Sequence, residues 1–234
     1  KAKTSQRIGI VHQKGADYAT ALQFFQASLE TARSVGDVFL EEQNVGKIGN
    51  IHQLLGKHEL ALKNFQHSLQ LSIQIGNKRN EGIHYGNLGN VYQEMGDYTN
   101  AIANLLEAVN IAKQIGDKMN EGIHYANLGV LHQNIGEYEQ SIDYYKLSSE
   151  LAKQIGNIQS TAQNLGNIGS MYQLLGKPDK AIQHYQRSVK IAHQIGDRRN
   201  EGIFTGNLGD VLLNTKKWKE AEQYLSDAIA ICTD

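Results

Sequence analysis

The sequence predicts an all-α array of six antiparallel helix pairs, and three observations predict it. Gly9, Gly49, Gly89, Gly129, Gly169 and Gly209 recur every 40 residues without slippage, as do Gly36, Gly76, Gly116, Gly156 and Gly196. A fixed period in this range marks stacked supersecondary units. Each period holds two stretches with apolar residues at helical spacing. Most stretches are closed by a Gly, often with an Asp or Asn after it that starts helices well, which leaves connections of two or three residues and makes neighbouring helices antiparallel.

The third repeat shows the elements in order. The first helix is expected from about Lys78 to Met95, with Tyr85, Leu88, Tyr92 and Met95 on one apolar face. Gly96 breaks it as a left-handed terminator and Asp97 caps the next helix. The second helix is expected from about Tyr98 to Ile115. Its Ala101, Leu105, Ala108, Ala112 and Ile115 form one stripe and Tyr98, Ile102, Leu106 and Val109 another, as for a helix buried on two sides. The glycines Gly82, Gly86 and Gly89, and again Gly202, Gly206 and Gly209, imply close helix–helix approach, because a mid-helix glycine costs about 1 kcal/mol relative to Ala.

The same grammar runs through the chain. Asp37, Asn77, Asp117, Asn157 and Asp197 follow the terminating glycines. Pro178 falls in a first helical turn, where its missing N–H does no harm. The expected repeats are residues 2–37, 38–77, 78–117, 118–157, 158–197 and 198–234 of a single domain. The ends deviate: the first repeat breaks at Gly15, one position early against Ala16, and in the last Lys216 replaces the glycine and Trp218 takes the Tyr98 position.

Composition narrows the function classes. The formal net charge of the 234 residues is -1, and no half is strongly basic, so a footprint for nucleic-acid phosphate is not expected. The single cysteine, Cys232, allows no internal disulfide, and no apolar run reaches the roughly 20 residues that span a bilayer. The expectation is a cytoplasmic protein with no membrane segment. The start at Lys1, inside a repeat, is expected of a fragment of something longer. No phosphate-binding loop, dinucleotide fingerprint or His-Glu-x-x-His is present. The nine histidines follow the repeat, so equivalent ones in successive repeats lie on the order of 10 Å apart, too far for ligands that must each lie about 2 Å from one ion. No enzyme activity, cofactor or metal is expected.

The remaining pattern is polar. Ile83, Asn87, Asn90 and Glu94 share a helix face roughly opposite the core stripe. Asn87 recurs as Asn127, Asn167 and Asn207, with Lys47 in its place in the second repeat. Asn90 is matched by Asn50, then becomes Val130, Ser170 and Asp210. Asn is a mediocre helix former, so an idle exposed face would favour Glu, Lys or Ala. Its side chain offers one acceptor and two donors on a short stem, suited to the N–H and C=O of a bound peptide. The other reading is a solvated face copied by duplication. Lys78, Arg79, Lys118, Arg198 and Arg199, with Glu81, Glu121 and Glu201 close behind, read as solvated charges at the turns, or as a rim for an acidic ligand segment.

The run Asn87–Ile102, with Leu88-Gly89, Tyr92, Gly96, Tyr98 and Ala101, and then Ala108, resembles the tetratricopeptide repeat (TPR) family, over essentially the whole chain. The 40-residue period resembles the long-repeat subgroup of LGN/Pins adaptors, and is similar to kinesin light chains and bacterial peptide-sensing TPR regulators. The family's usual proline near the end of the second helix is absent. The resemblance implies a right-handed α-solenoid whose first helices line a groove for a protein or peptide ligand. It implies that Asn87, Asn90, Asn127, Asn167 and Asn207 contact that ligand. Ile83, Ile123, Ile203, Glu94, Asn134 and Asn214 would flank them, and Asn50, the match of Asn90, is expected in the same groove. A clamp for a peptide C-terminus is not expected, since the groove register supplies mainly Lys14 and Lys47. The expected function is a protein-interaction scaffold; the alternative is a peptide-sensing arm that switches an attached effector.

Overall fold

The computed structural model describes residues 1–233, with side chains through Ile231; the side chain of Cys232 and residue 234 lie outside the described part. The described residues form twelve α-helices and no strand. Two compact units divide the chain, residues 1–117 and 118–234. The first comprises α1 (Ala2–Lys14), α2 (Tyr18–Ser34), α3 (Val38–Leu54), α4 (His58–Gln74), α5 (Lys78–Glu94) and α6 (Tyr98–Gln114). The second comprises α7 (Lys118–Asn134), α8 (Tyr138–Gln154), α9 (Ile158–Leu174), α10 (Pro178–Gln194), α11 (Arg198–Asn214) and α12 (Trp218–Thr233).

One residue both closes a helix and opens the next. After α5 the Gly96 N–H donates to Gln93 O at 3.0 Å and the Asp97 N–H to Tyr92 O at 2.9 Å, with Gly96 at φ +78°. This is a Schellman ending, which satisfies carbonyls the helix would otherwise orphan. The Asp97 carboxylate then accepts from the Asn100 N–H at 3.1 Å, capping α6. Asp37, Asn77, Asn157 and Asp197 accept in the same way ahead of α3, α5, α9 and α11. Three-residue connections result, and Pro178 occupies the first turn of α10.

Within each unit every helix packs on its neighbours in sequence, and α1 also touches α3, as α9 touches α11. The core lies between the second helix of one pair and the first of the next. Phe25 of α2 packs with Ile48 and Ile51 of α3, and Phe65 of α4 with Leu88 and Val91 of α5. In the second unit Tyr145 of α8 packs with Ile168 and Met171 of α9, and Tyr185 of α10 with Phe204 and Leu208 of α11. Each such buried side chain contributes about 1.5–3 kcal/mol. The repeating glycines admit the rings: a Cβ on Gly49 would stand 2.9 Å from Phe65, and on Gly169 2.8 Å from Tyr185.

Three expectations need correction. Met95 is not part of a core stripe; it is the C-cap of α5, beyond the last helical residue, and 45% exposed. Ile115 is likewise a C-cap and exposed, and Tyr98 and Leu106 are exposed while Val109 is buried, so the second face of α6 is only partly covered. The first repeat does not break early: Gly15 has an ordinary φ of -82° and Ala16 takes the left-handed position at φ +59°, as Lys216 does at φ +62°.

Candidate functional site

In the second unit α7, α9 and α11 carry the amide face. A cleft of about 250 Å³ opens between α7 and α9. Ile123, Asn127 and Val130 line it from α7, Gln163 and Asn167 from α9, and Tyr145 from α8. A second cleft, of about 450 Å³, lies between α9 and α11 and shares Gln163 and Asn167, with Arg199, Asn200 and Ile203 opposite. Asn167 therefore stands on the ridge between two clefts. The close approach of α9 and α11 depends on Gly166, where a Cβ would stand 2.1 Å from the Phe204 ring.

The asparagines fall into two sets that helical position separates by three residues. Asn164 is buried, and its Nδ2 donates to Ser148 Oγ at 2.8 Å. Asn44 is buried likewise, donating to Ser28 Oγ at 2.9 Å and Leu40 O at 2.8 Å. These hold adjacent helices together. Asn127 and Asn167 are half-buried, and among the described residues their side chains make no hydrogen bond. A half-buried amide with open donors and acceptor keeps hydrogen-bonding capacity for water or for another partner.

The other predicted positions divide. Asn207 lies beside the hydroxyl of Tyr185, which is 2.9 Å from Ser170 Oγ and donates to Gln173 Oε1 at 3.0 Å; burial pushes that phenol above its usual range. Ile123 and Ile203 are exposed at the cleft margins, and Asn134 and Asn214 are exposed at the ends of α7 and α11. In the first unit Asn50, Ile83, Asn87 and Asn90 are half-buried, and the three asparagines make no side-chain hydrogen bond among the described residues. Glu94 is engaged: Gln53 Nε2 donates to it at 2.8 Å and His58 Nδ1 lies 3.3 Å away.

Two charge readings change. Glu81 and Glu201 are buried, paired to Lys78 at 2.9 Å and to His193 at 2.8 Å, so they are not solvated turn charges. Arg79 pairs with Asp117 at 2.9 Å. The histidines are tied within the fold: His132 to Glu137 at 2.6 Å with its ring on Tyr144, His52 to Asn64 at 3.0 Å, and His84 to the buried Glu42. Among the described residues no three His, Asp or Glu side chains converge to hold a metal, and no helix is long and apolar enough to cross a membrane.

Sequence reasoning passed over Gln163. It occupies the register of Ile83, Ile123 and Ile203, and that register should have marked it.

A family model described as Tetratricopeptide repeat matches residues 43–114, 80–154 and 159–234. No curated protein matches the chain. Among solved structures, BtubC (BKLC) from P. vanneervenii is similar, with a TM-score of 0.81 and 18% identity over 91% of this chain and 89% of that one. The signal transduction ATPase with numerous domains (STAND) protein PH0952 from Pyrococcus horikoshii, which has a tetratricopeptide repeat sensor, gives a TM-score of 0.84 at 20% identity. That match covers 98% of this chain but only 36% of that protein. A Rap protein complexed with competence and sporulation factor gives a TM-score of 0.74 at 14% identity, covering 98% and 74%. At these identities the likeness is one of fold.

Proposed function

The chain belongs to the tetratricopeptide repeat family, and from that premise we propose that it is a non-catalytic protein-interaction module that binds a peptide segment of a partner. One observation carries the reading: Asn127 and Asn167 flank a cleft with their amides open, while the buried Asn164 beside them is spoken for. The open amides offer donors and acceptors to a ligand backbone. The aliphatic Ile123 and Val130 offer the cleft itself to an apolar side chain. Within the first unit, Asn50, Asn87 and Asn90 offer the same chemistry. The module is read as cytoplasmic, and its partner as protein rather than nucleic acid.

The test is a selection of dodecapeptides from a random displayed library, followed by fluorescence polarisation. Asn127→Ala with Asn167→Ala is expected to weaken binding at least about tenfold, a loss in keeping with about 1 kcal/mol for each hydrogen bond removed, with helicity and melting near wild type. Unchanged affinity for the selected peptides would overturn the reading.

A second reading, a sensing arm that switches an attached effector, draws support from the likeness to a STAND protein with a repeat sensor, of which the chain spans about a third. Ligand-dependent activity of a neighbouring domain in a longer parent protein would favour it over the scaffold.

A further inference from the structure

The first unit carries cations that the peptide reading leaves unexplained. Lys3, Arg7 and Lys14 occupy the register of Ile83, Asn87 and Glu94, and Lys47 occupies that of Arg7 one repeat on. They therefore fall on one face of α1 and α3. Gln6 Nε2 donates to Gln43 Oε1 at 3.2 Å across these two helices. Arg7 follows Gln6, and Lys47 lies one turn beyond Gln43, so the two cations are neighbours across a helix spacing of about 10 Å. From Lys3 to Lys14 the row runs about 16 Å, the length of about five extended residues.

The nearby carboxylates are committed elsewhere. Glu41 pairs with Arg33 at 2.8 Å, Glu42 with His84 and Asn80, Glu81 with Lys78, Glu94 with Gln53 and His58, and Asp117 with Arg79. Among the described residues Lys3, Arg7, Lys14 and Lys47 form no ion pair. Lys47 is half-buried, and desolvation pushes its ammonium below the usual lysine range against the pull of Glu42. An ammonium drawn partly out of water without a bonded counter-ion is stabilised when an anion reaches it. In the second unit the registers of Lys3 and Arg7 hold Ile123, Gln163, Ile203 and three asparagines, with no cation.

We infer that the length of ligand lying on α1 and α3 carries several carboxylate side chains, selected by Lys47 and Arg7. The inference rests on the peptide-binding reading. A single C-terminal carboxylate is the other source of this chemistry, but four cations spread over two helices suit several carboxylates better than one. The salt dependence of binding is then steeper than an amide-lined groove alone would give.

The experiment pans random dodecapeptides displayed as N-terminal fusions, which offer no C-terminal carboxylate, against the whole chain. Enriched sequences are synthesised with both ends blocked, and affinities are measured at low and physiological salt. An excess of Asp and Glu is expected in the consensus. Arg7→Gln with Lys47→Gln should bind that consensus about tenfold more weakly, with a flatter salt dependence and an unchanged melting profile. No enrichment at all would overturn the peptide reading itself. A consensus without acidic excess, or unchanged affinity in the variant, would overturn only this inference. So would enrichment confined to a library with free C-termini, or displacement of the peptide by an equimolar oligothymidylate.

Discussion

The ring of Tyr145 lies against the bare Cα of Gly129: a Cβ on Gly129 would stand 2.7 Å from Tyr145 Cε1. The ring cannot retreat, since it is fully buried and its hydroxyl donates to Gln133 Oε1 at 3.2 Å. Ser141 Oγ donates to the Gly129 carbonyl at 2.7 Å and holds α7 against α8. Gly129→Ala is therefore expected to cost about 2 kcal/mol despite its better helix propensity, read as a lower denaturation midpoint. A midpoint equal to wild type would mean that the contact gives way easily.

Gly206 is also a mid-helix glycine, but it lies in a different register, that of Gly166 and Ala126. A Cβ there would meet only the Ala228 Cβ, at an ordinary 3.8 Å. With no clash to oppose it, the helix-propensity gain should appear, and Gly206→Ala is expected to stabilise by up to about 1 kcal/mol. Chemical denaturation of the two Ala variants side by side separates glycines that admit a neighbour from glycines that do not.

Ala16 and Lys216 stand at φ +59° and +62°, where the other helix endings have glycine. A side chain in this region costs about 1–2 kcal/mol, partly offset by the greater freedom glycine gives the unfolded chain. Lys216→Gly should therefore raise stability by about 0.5–1 kcal/mol. Loss of stability would show instead that Lys216 makes a contact worth more than its strain.

Helices, breaks and caps were legible because they are local: a glycine at fixed period and a capping side chain act over four residues. Met95 and Ile115 misled because helical spacing cannot say where a neighbouring helix ends. The fate of each asparagine was legible only in part. Asn164 and Asn167 sit one turn apart with the same side chain, and what separates them is Ser148 on α8, within reach of the first and not the second. Asn207 illustrates the same limit, since Tyr185, whose hydroxyl it lies beside, comes from α10. The free cations of α1 and α3 were visible as residues, but their lack of partners depends on where each carboxylate is spent.

Glu42 is 1% exposed and takes a position where the other repeats have glycine or alanine. It is held by His84 and by Asn80 Nδ2 at 2.8 Å. Removing one partner of a buried pair strands the other, so His84→Leu is expected to cost about 3–5 kcal/mol. Adding Glu42→Gly to His84→Leu removes the stranded carboxylate and should recover part of the loss. If the double variant is the sum of two separate losses, the pair is not coupled as its geometry implies.

His184 carries the last prediction. Burial, then the nearby Arg187, Lys146 and Lys180, hold its pKa below the usual imidazole range, and its ring packs at 5.3 Å from that of Tyr172. The folded state thus resists protonation that the unfolded chain accepts near pH 6.5. The stability linked to this residue is complete above about pH 6.5 and is lost as the pH falls through the lower, folded-state value. Tyr144 and Tyr224 occupy the same register in the neighbouring repeats, so His184→Tyr is a substitution the fold accommodates elsewhere. The variant should lose less melting temperature than wild type between about pH 7 and pH 5. Equal losses in the two proteins would show that His184 protonates as readily in the folded chain as in the unfolded one.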